Sequence, residues 1–179
     1  MLFAANNYAF IDAQNLNLGV RSMGWKIDWR KFRTYLAHKY RVQKAFLFVG
    51  YLPEQQRLYS ALQQAGFILV FKTVLVTRDG KVKGNVDAEL VLHAMIEYPN
   101  FARAIIVTSD GDFACLVEYL SEKGKLLKVV SPTHQHCSVL LRRVAKDRIA
   151  FLQDLHSKLS YEQQGIVEGQ DHIRNTPSS

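Results

Sequence analysis

Short apolar runs alternate along the chain with stretches whose apolar positions recur every three or four residues. The runs "YAFID" (8–12), "KAFLFVGYL" (44–52), "RAIIVTS" (103–109) and "KLLKVVS" (125–131) read as buried strands. Between them, "DWRKFRTYLAHKY" (28–40) predicts a helix with Asp28 as N-cap and Trp29, Phe32, Leu36 and Tyr40 on one stripe. A second helix is predicted over 53–66, opened by Pro53 and closed by Gly66. "FILVFKTVLVT" (67–77) reads as extended, and "RDGK" (78–81) carries the Asp-Gly signal of a tight hairpin. Helices follow over 85–98 and over 113–124, the latter ended by Gly124, with a short one over 136–145. "RIAFLQDL" (148–155) reads as a final strand or helix. Strand–helix alternation with near-continuous apolar strands argues an α/β fold, a mostly parallel central sheet covered by helices on both faces. Periodicity fades near residue 160, so the expected organisation is one domain over 1–158 followed by a mobile tail over 159–179.

Composition narrows the class. With 179 residues, 48% hydrophobic and 22% charged, the chain suits one globular domain with a sizeable core. No apolar run approaches the ~18 residues of a membrane span, and "MLFAANNYAF" lacks the regions of a signal peptide. Cys115 and Cys137 form neither a C-x-x-C pair nor a disulfide framework, which fits a reducing, cytoplasmic setting. The net charge is +7, and the tail from 160 onward is itself acidic, so the body is more basic still. A basic body favours polyanions, nucleic acid first among them.

Against that basic background the acidic residues at strand ends stand out. Asp12 closes the first strand, Asp110 and Asp112 follow "RAIIVTS" within "TSDGDF" (108–113), and Asp87 opens the helix after the hairpin. Ligands of open α/β sheets bind beyond the carboxyl ends of the strands. If the first strand and "RAIIVTS" are neighbours, these carboxylates share a crevice and repel one another unless a cation or a shared proton compensates. Mg²⁺ and Mn²⁺ prefer oxygen donors, and a cation so held can acidify a water and neutralise charge on a phosphodiester. Asn15, a helical turn past Asp12, and the hydroxyls of Thr108 and Ser109 are placed to orient a carboxylate or contact a phosphate. The structural reading stands beside this one: Asp87 and Asp112 occupy N-cap positions, and Asp-Gly is ordinary turn chemistry. Asp12 is harder to explain that way, since a carboxylate ending a buried strand is costly without a partner.

The motifs "FIDAQNLN" (10–17), "KGNVDAEL" (83–90) and "TSDGDF" (108–113), in that order, resemble the NYN domains of the PIN-like ribonuclease superfamily, LabA-like members included. The resemblance covers roughly residues 7–155. It implies a PIN-like three-layer α/β/α sandwich. It also implies a metal centre of Asp12, Asp87, Asp110 and Asp112, with Asn15 lining it and Mg²⁺ or Mn²⁺ supporting hydrolysis of RNA by an activated water. Many members carry a further Asp six residues after the one matched by Asp87. Here that position is His93, read as a half-buried structural histidine, while Glu89 is expected to face away.

Substrate contacts are read from placement. Lys83 and Gly84 precede the helix bearing Asp87, where an anion is favoured, so Lys83 joins Asn15 and Ser109 as a candidate substrate contact. Arg78 and Lys81 at the hairpin tip would extend that track. The segment 26–44 holds seven Lys/Arg against Asp28 alone, a face that is either solvated or attractive to RNA. "HQHC" (134–137) offers zinc ligands but no matching pair elsewhere, and reads as a loop with incidental histidines. The leading expectation is a metal-dependent endoribonuclease with RNA as partner and no membrane, a homo-oligomer being left open. The alternative is an RNA-binding or regulatory module with a weak or vestigial metal site and no cleavage. An aspartate-nucleophile phosphohydrolase ranks last, because Gln14 stands where its second carboxylate would be.

Overall fold

A computed structural model of the chain describes residues 6–73, 75–76, 82–83 and 86–162. Its centre is β1 (Asn7–Asp12), every residue of which is buried. It pairs in parallel with β2 (Val42–Tyr51) on one side and β6 (Ala104–Val107) on the other. Outward from β2 lies β3 (Ile68–Thr73); outward from β6 lie β7 (Leu126–Ser131) and β8 (Ile149–Phe151). The order β3-β2-β1-β6-β7-β8 makes a six-stranded parallel sheet. A separate antiparallel pair, β4 (Leu75–Val76) and β5 (Val82–Lys83), flanks the expected hairpin, whose tip with Arg78 and Lys81 lies outside the described residues.

Side-chain alternation along the strands sorts the core into two halves. Tyr8, Phe10, Phe46, Phe48 and Ile106 face α4 (Asp87–Ile96), α5 (Ala114–Glu122) and α6 (Val139–Ala145), which contribute Leu90, Leu120 and Leu141. Ala9, Ile11, Leu47, Ile105 and Val107 face α1 (Ala13–Arg21), α2 (Trp29–Tyr40) and α3 (Gln56–Gln64). Leu16, Phe32, Leu36 and Leu62 fill that side. The result is the expected three-layer α/β/α sandwich.

Local chemistry sets the helix ends. Asp28 accepts from the backbone N–H groups of Arg30 and Lys31 at 2.9 and 3.0 Å and starts α2 as expected. Gly66 (φ +94°) and Gly124 (φ +67°) take left-handed conformations just past α3 and α5, where a side chain would be strained. Pro53 opens a 3₁₀ turn, Pro53–Gln55, rather than the α-helix itself. The segment 148–155 resolves into β8 and a 3₁₀ turn, Gln153–Leu155, followed by α7 (His156–Leu159). Beyond α7 the chain pairs Ser160 with Ile27, and Glu162 reaches Lys31 at 3.3 Å. The rest of the expected tail, 163–179, lies outside the described residues.

Candidate metal centre

The two central strands end side by side, and the acidic residues follow directly. Asp12, the last residue of β1, is 6% exposed and N-caps α1, its Oδ1 accepting from the Asn15 N–H at 3.0 Å. Past β6, Asp110 N-caps a 3₁₀ turn, Gly111–Phe113, its Oδ1 accepting from the Asp112 N–H at 3.0 Å. Asp110's own N–H donates to Thr108 Oγ1 at 3.1 Å. Asp87 is the first residue of α4, and there Val86, which makes no side-chain cap bond, holds the N-cap position. The capping expectation is therefore corrected. Neither Asp87 nor Asp112 holds an N-cap position; Asp110 caps the 3₁₀ turn, because its extended backbone (φ −81°, ψ 134°) turns its carboxylate onto the Asp112 N–H.

Oxygens of Asp87, Asp110 and Asp112 all lie within 4.8 Å of one another. Asp12 stands outside that set but feels it. Burial first, then the charges of Asp87 and Asp110, push its carboxyl up to about 6, against backbone hydrogen bonds from Asn15 and Gln14 that pull it down. The two ion pairs formed among the described residues, Lys31–Glu162 and Lys72–Glu89 at 3.1 Å, include none of Asp12, Asp110 and Asp112. The donor set fits a hard divalent cation: oxygen ligands only, and clustered.

Asn15 ties the two strand ends together. Its Oδ1 accepts from both the backbone N–H and the hydroxyl of Ser109, each at 2.8 Å. A backbone N–H must find an acceptor, so the amide orientation is fixed and the Asn15 NH₂ is left as a donor. Ser109's hydroxyl hydrogen is already committed to Asn15. The Lys83 backbone is part of β5, while its side chain, like Gly84, lies outside what is described.

Beside the carboxylates is an open depression of about 460 Å³, lined by Asn15, Ser109, Asp110, Asp112, His136 and Ser138 among others. The last two are contributed by the loop before α6, and no sequence pattern marks them as site residues. In the sequence "HQHC" reads as a loop with incidental histidines rather than a zinc site. In the structure His136 packs on Thr133, which accepts from the His136 N–H at 3.0 Å, and His134 meets Arg142 at 3.1 Å. Ser138 N–H donates to the Ser109 carbonyl at 2.9 Å, which brings this loop to the site. His93 is half-buried against Phe46 and Phe48, ring centres 4.9 and 5.8 Å away, as a packing residue. Glu89 faces away and pairs with Lys72.

A six-stranded parallel α/β/α sandwich with a carboxylate cluster at the carboxyl edge of its central strands is the architecture of the PIN-like type, and the cluster is compatible with a divalent metal. The chain belongs to the NYN domain family, whose model matches residues 8–153. It is a PIN-like nuclease family, generally of ribonucleases that bind RNA. The chain is 27% identical over 158 residues to the low amplitude and bright protein LabA of Synechococcus elongatus, covering 83% of this chain and 84% of that protein. It also matches the crystal structure of a protein of unknown function from Vibrio parahaemolyticus, with a TM-score of 0.71 and 27% identity over 89% of this chain and 99% of the other. Among the described residues no helix is long and apolar enough to cross a membrane.

Proposed function

We propose that the protein is a metal-dependent endoribonuclease. The observation that carries this reading is the set of acidic side chains at one sheet edge: Asp87, Asp110 and Asp112 clustered within 4.8 Å, and Asp12 buried beside them with its carboxyl raised to about 6. Asp87, Asp110 and Asp112 hold the cation, with Asp12 completing the negative field behind them. Bound there, Mg²⁺ or Mn²⁺ supplies Lewis acidity, lowering the pKa of a water and offsetting charge on the scissile phosphodiester.

The chain's own residues do the rest. Asp12 and Asp110 each commit one oxygen to a helix or turn start, which fixes the direction of the other. The Asn15 NH₂, oriented by Ser109, donates to a phosphate oxygen, and Lys83 supplies positive charge from the approach to α4. The basic body draws RNA from a distance, so association falls as salt rises.

End-labelled single-stranded and structured RNAs, incubated with the full chain in Mg²⁺, Mn²⁺ or EDTA beside Asp110→Asn, test the reading. Cleavage that needs the metal and is lost in the variant is the expected result. Salt-sensitive binding with no cleavage in any metal would overturn it in favour of an RNA-binding module.

A further inference from the structure

On the other side of α1 from the acidic depression lies a cavity of about 370 Å³, a size that accepts a small organic ligand. Its floor includes Val49 and Gly50 near the carboxyl end of β2. Asp12 pairs in register with Phe48, and Leu47 and Val49, which flank Phe48 on the strand next to the metal centre, both line the cavity. Helix α1 serves both sites. Asn15 faces the carboxylates, while Gln14, Asn17 and Arg21, spaced i, i+3 and i+7, line the cavity.

The lining has the character of a base site. Trp29, Leu58 and Tyr59 contribute apolar and aromatic surface. Tyr59 is buried, its hydroxyl accepting from Leu52 N–H at 2.8 Å and donating to the Gly50 carbonyl at 3.2 Å, so it forms the cavity wall without offering a polar group. Among the described residues, the side-chain amides of Gln14, Asn17 and Gln55 and the guanidinium of Arg21 make no hydrogen bond or ion pair. An amide presents a donor and an acceptor side by side, the pattern that base edges match. Among the described residues no acidic residue lines the cavity, and Arg21 is its one cation. Single-stranded RNA is read in this way, by splayed bases on aromatic surface with hydrogen bonds to their edges.

We propose that this cavity is a nucleobase subsite. A base of the RNA strand whose backbone crosses the carboxylate cluster enters it, lies against Trp29 and Leu58, and is hydrogen-bonded by Gln14, Asn17 and Gln55, with Arg21 on a flanking phosphate. The proposal rests on the ribonuclease reading and adds to it a base contact on the β2 side of the cut.

The test uses the full chain carrying Asp12→Asn, so that bound RNA survives, with short single-stranded RNAs bearing 5-iodouracil at each position in turn. Irradiation and peptide mapping should place a cross-link from one position on Trp29. In parallel, Asn17→Leu with Gln55→Leu should weaken affinity for the same RNA about tenfold at fixed salt. Thermal melting checks that the double variant folds, and the exposed Gln14→Leu replaces it if it does not. RNA that binds and is cut by the wild type, yet cross-links only elsewhere, overturns the subsite and leaves the nuclease standing. Unchanged affinity in a folded variant does the same. RNA neither bound nor cut overturns both.

Discussion

Asp12 is the residue on which stability and function pull hardest in opposite directions, and Asp12→Asn separates them. The carboxyl is displaced from an ordinary 3.8 to about 6, chiefly by burial and then by the charges of Asp87 and Asp110. At about 1.4 kcal/mol for each pH unit, that displacement is worth about 3 kcal/mol. The folded state holds its proton more tightly than the unfolded state does. Neutral Asp12 therefore favours folding fully below pH 3.8, and the advantage is lost as pH rises through about 6. At pH 7.5 without divalent cation, wild-type Asp12 carries the whole penalty. Asparagine keeps an oxygen for the Asn15 N–H, so the cap survives and the charge goes. Asp12→Asn should accordingly be about 3 kcal/mol more stable than wild type in EDTA at pH 7.5, a rise in melting temperature of roughly 6–12 °C for a chain of this size. The gap should narrow steadily as the pH is lowered to 4.5. Thermal unfolding at both pH values decides the matter. A variant no more stable than wild type at pH 7.5, or a gap that ignores pH, refutes the claim that an uncompensated buried carboxylate stands at the end of β1.

Mg²⁺ or Mn²⁺ should raise the wild-type melting temperature saturably, by about 2.7 kcal/mol of stabilisation at a hundredfold excess over Kd; an equal rise in Asp110→Asn would refute the assigned ligands. Asn15→Ala leaves the Ser109 N–H and hydroxyl without their acceptor and should cost about 1–3 kcal/mol in urea unfolding. Asn15→Asp, which restores an acceptor, should recover part of that loss. Gly111→Ala would drive its Cβ into the side chain of Ser138, which caps α6 by accepting from Leu140 N–H at 3.3 Å. It should cost about 1–3 kcal/mol and weaken cation binding by calorimetry. His93→Leu, replacing a ring that packs on Phe46 and Phe48, should leave cation affinity unchanged by the same method.

Features dictated by neighbours in sequence were the legible ones. Asp28 as a cap and Gly66 and Gly124 as helix ends follow from two or three adjacent residues, and the structure has all three. The buried strands read as apolar runs because both faces of the sheet are covered. Helix α1 was harder to see. "AQNLNLGVR" is short and polar, and its buried face is just Ala13, Leu16 and Val20; the cap at Asp12 was the available signal. The Asn15–Ser109 pair joins residues 94 apart, and the approach of Ser138 to Ser109 depends on the β6–β7 crossover. No local pattern encodes either. His136 is hidden for a different reason: a histidine in a loop has no periodicity, and its sequence context reads as a loop with incidental histidines, while its place beside the carboxylates depends on the tertiary fold.

The choice between capping and metal binding, posed by the sequence as an alternative, dissolves once individual oxygens are followed. β1 and β6 lie side by side at the point where the chain's connections part, toward β2 and β3 on one side and toward β7 and β8 on the other. At such a switch point the segments leaving adjacent strands diverge and open a crevice. The segments leaving these two strands both begin with a carboxylate cap, and a carboxylate caps with one oxygen. Asp12 and Asp110 both use Oδ1 for this, which leaves the second oxygen of each outside the cap bond. The fold thus needs an acceptor at both positions, whereas the cation needs the second oxygen and its charge. Asparagine meets the first demand and fails the second. Asp110→Asn should therefore melt cooperatively, within about 1 kcal/mol of wild type in EDTA, while losing the stabilisation by Mg²⁺ or Mn²⁺. Asp110→Ala, which removes the cap as well, should lose a further 0.5–2 kcal/mol or so. If the two variants melted alike, the cap would contribute nothing, and the double use of these carboxylates would have to be abandoned.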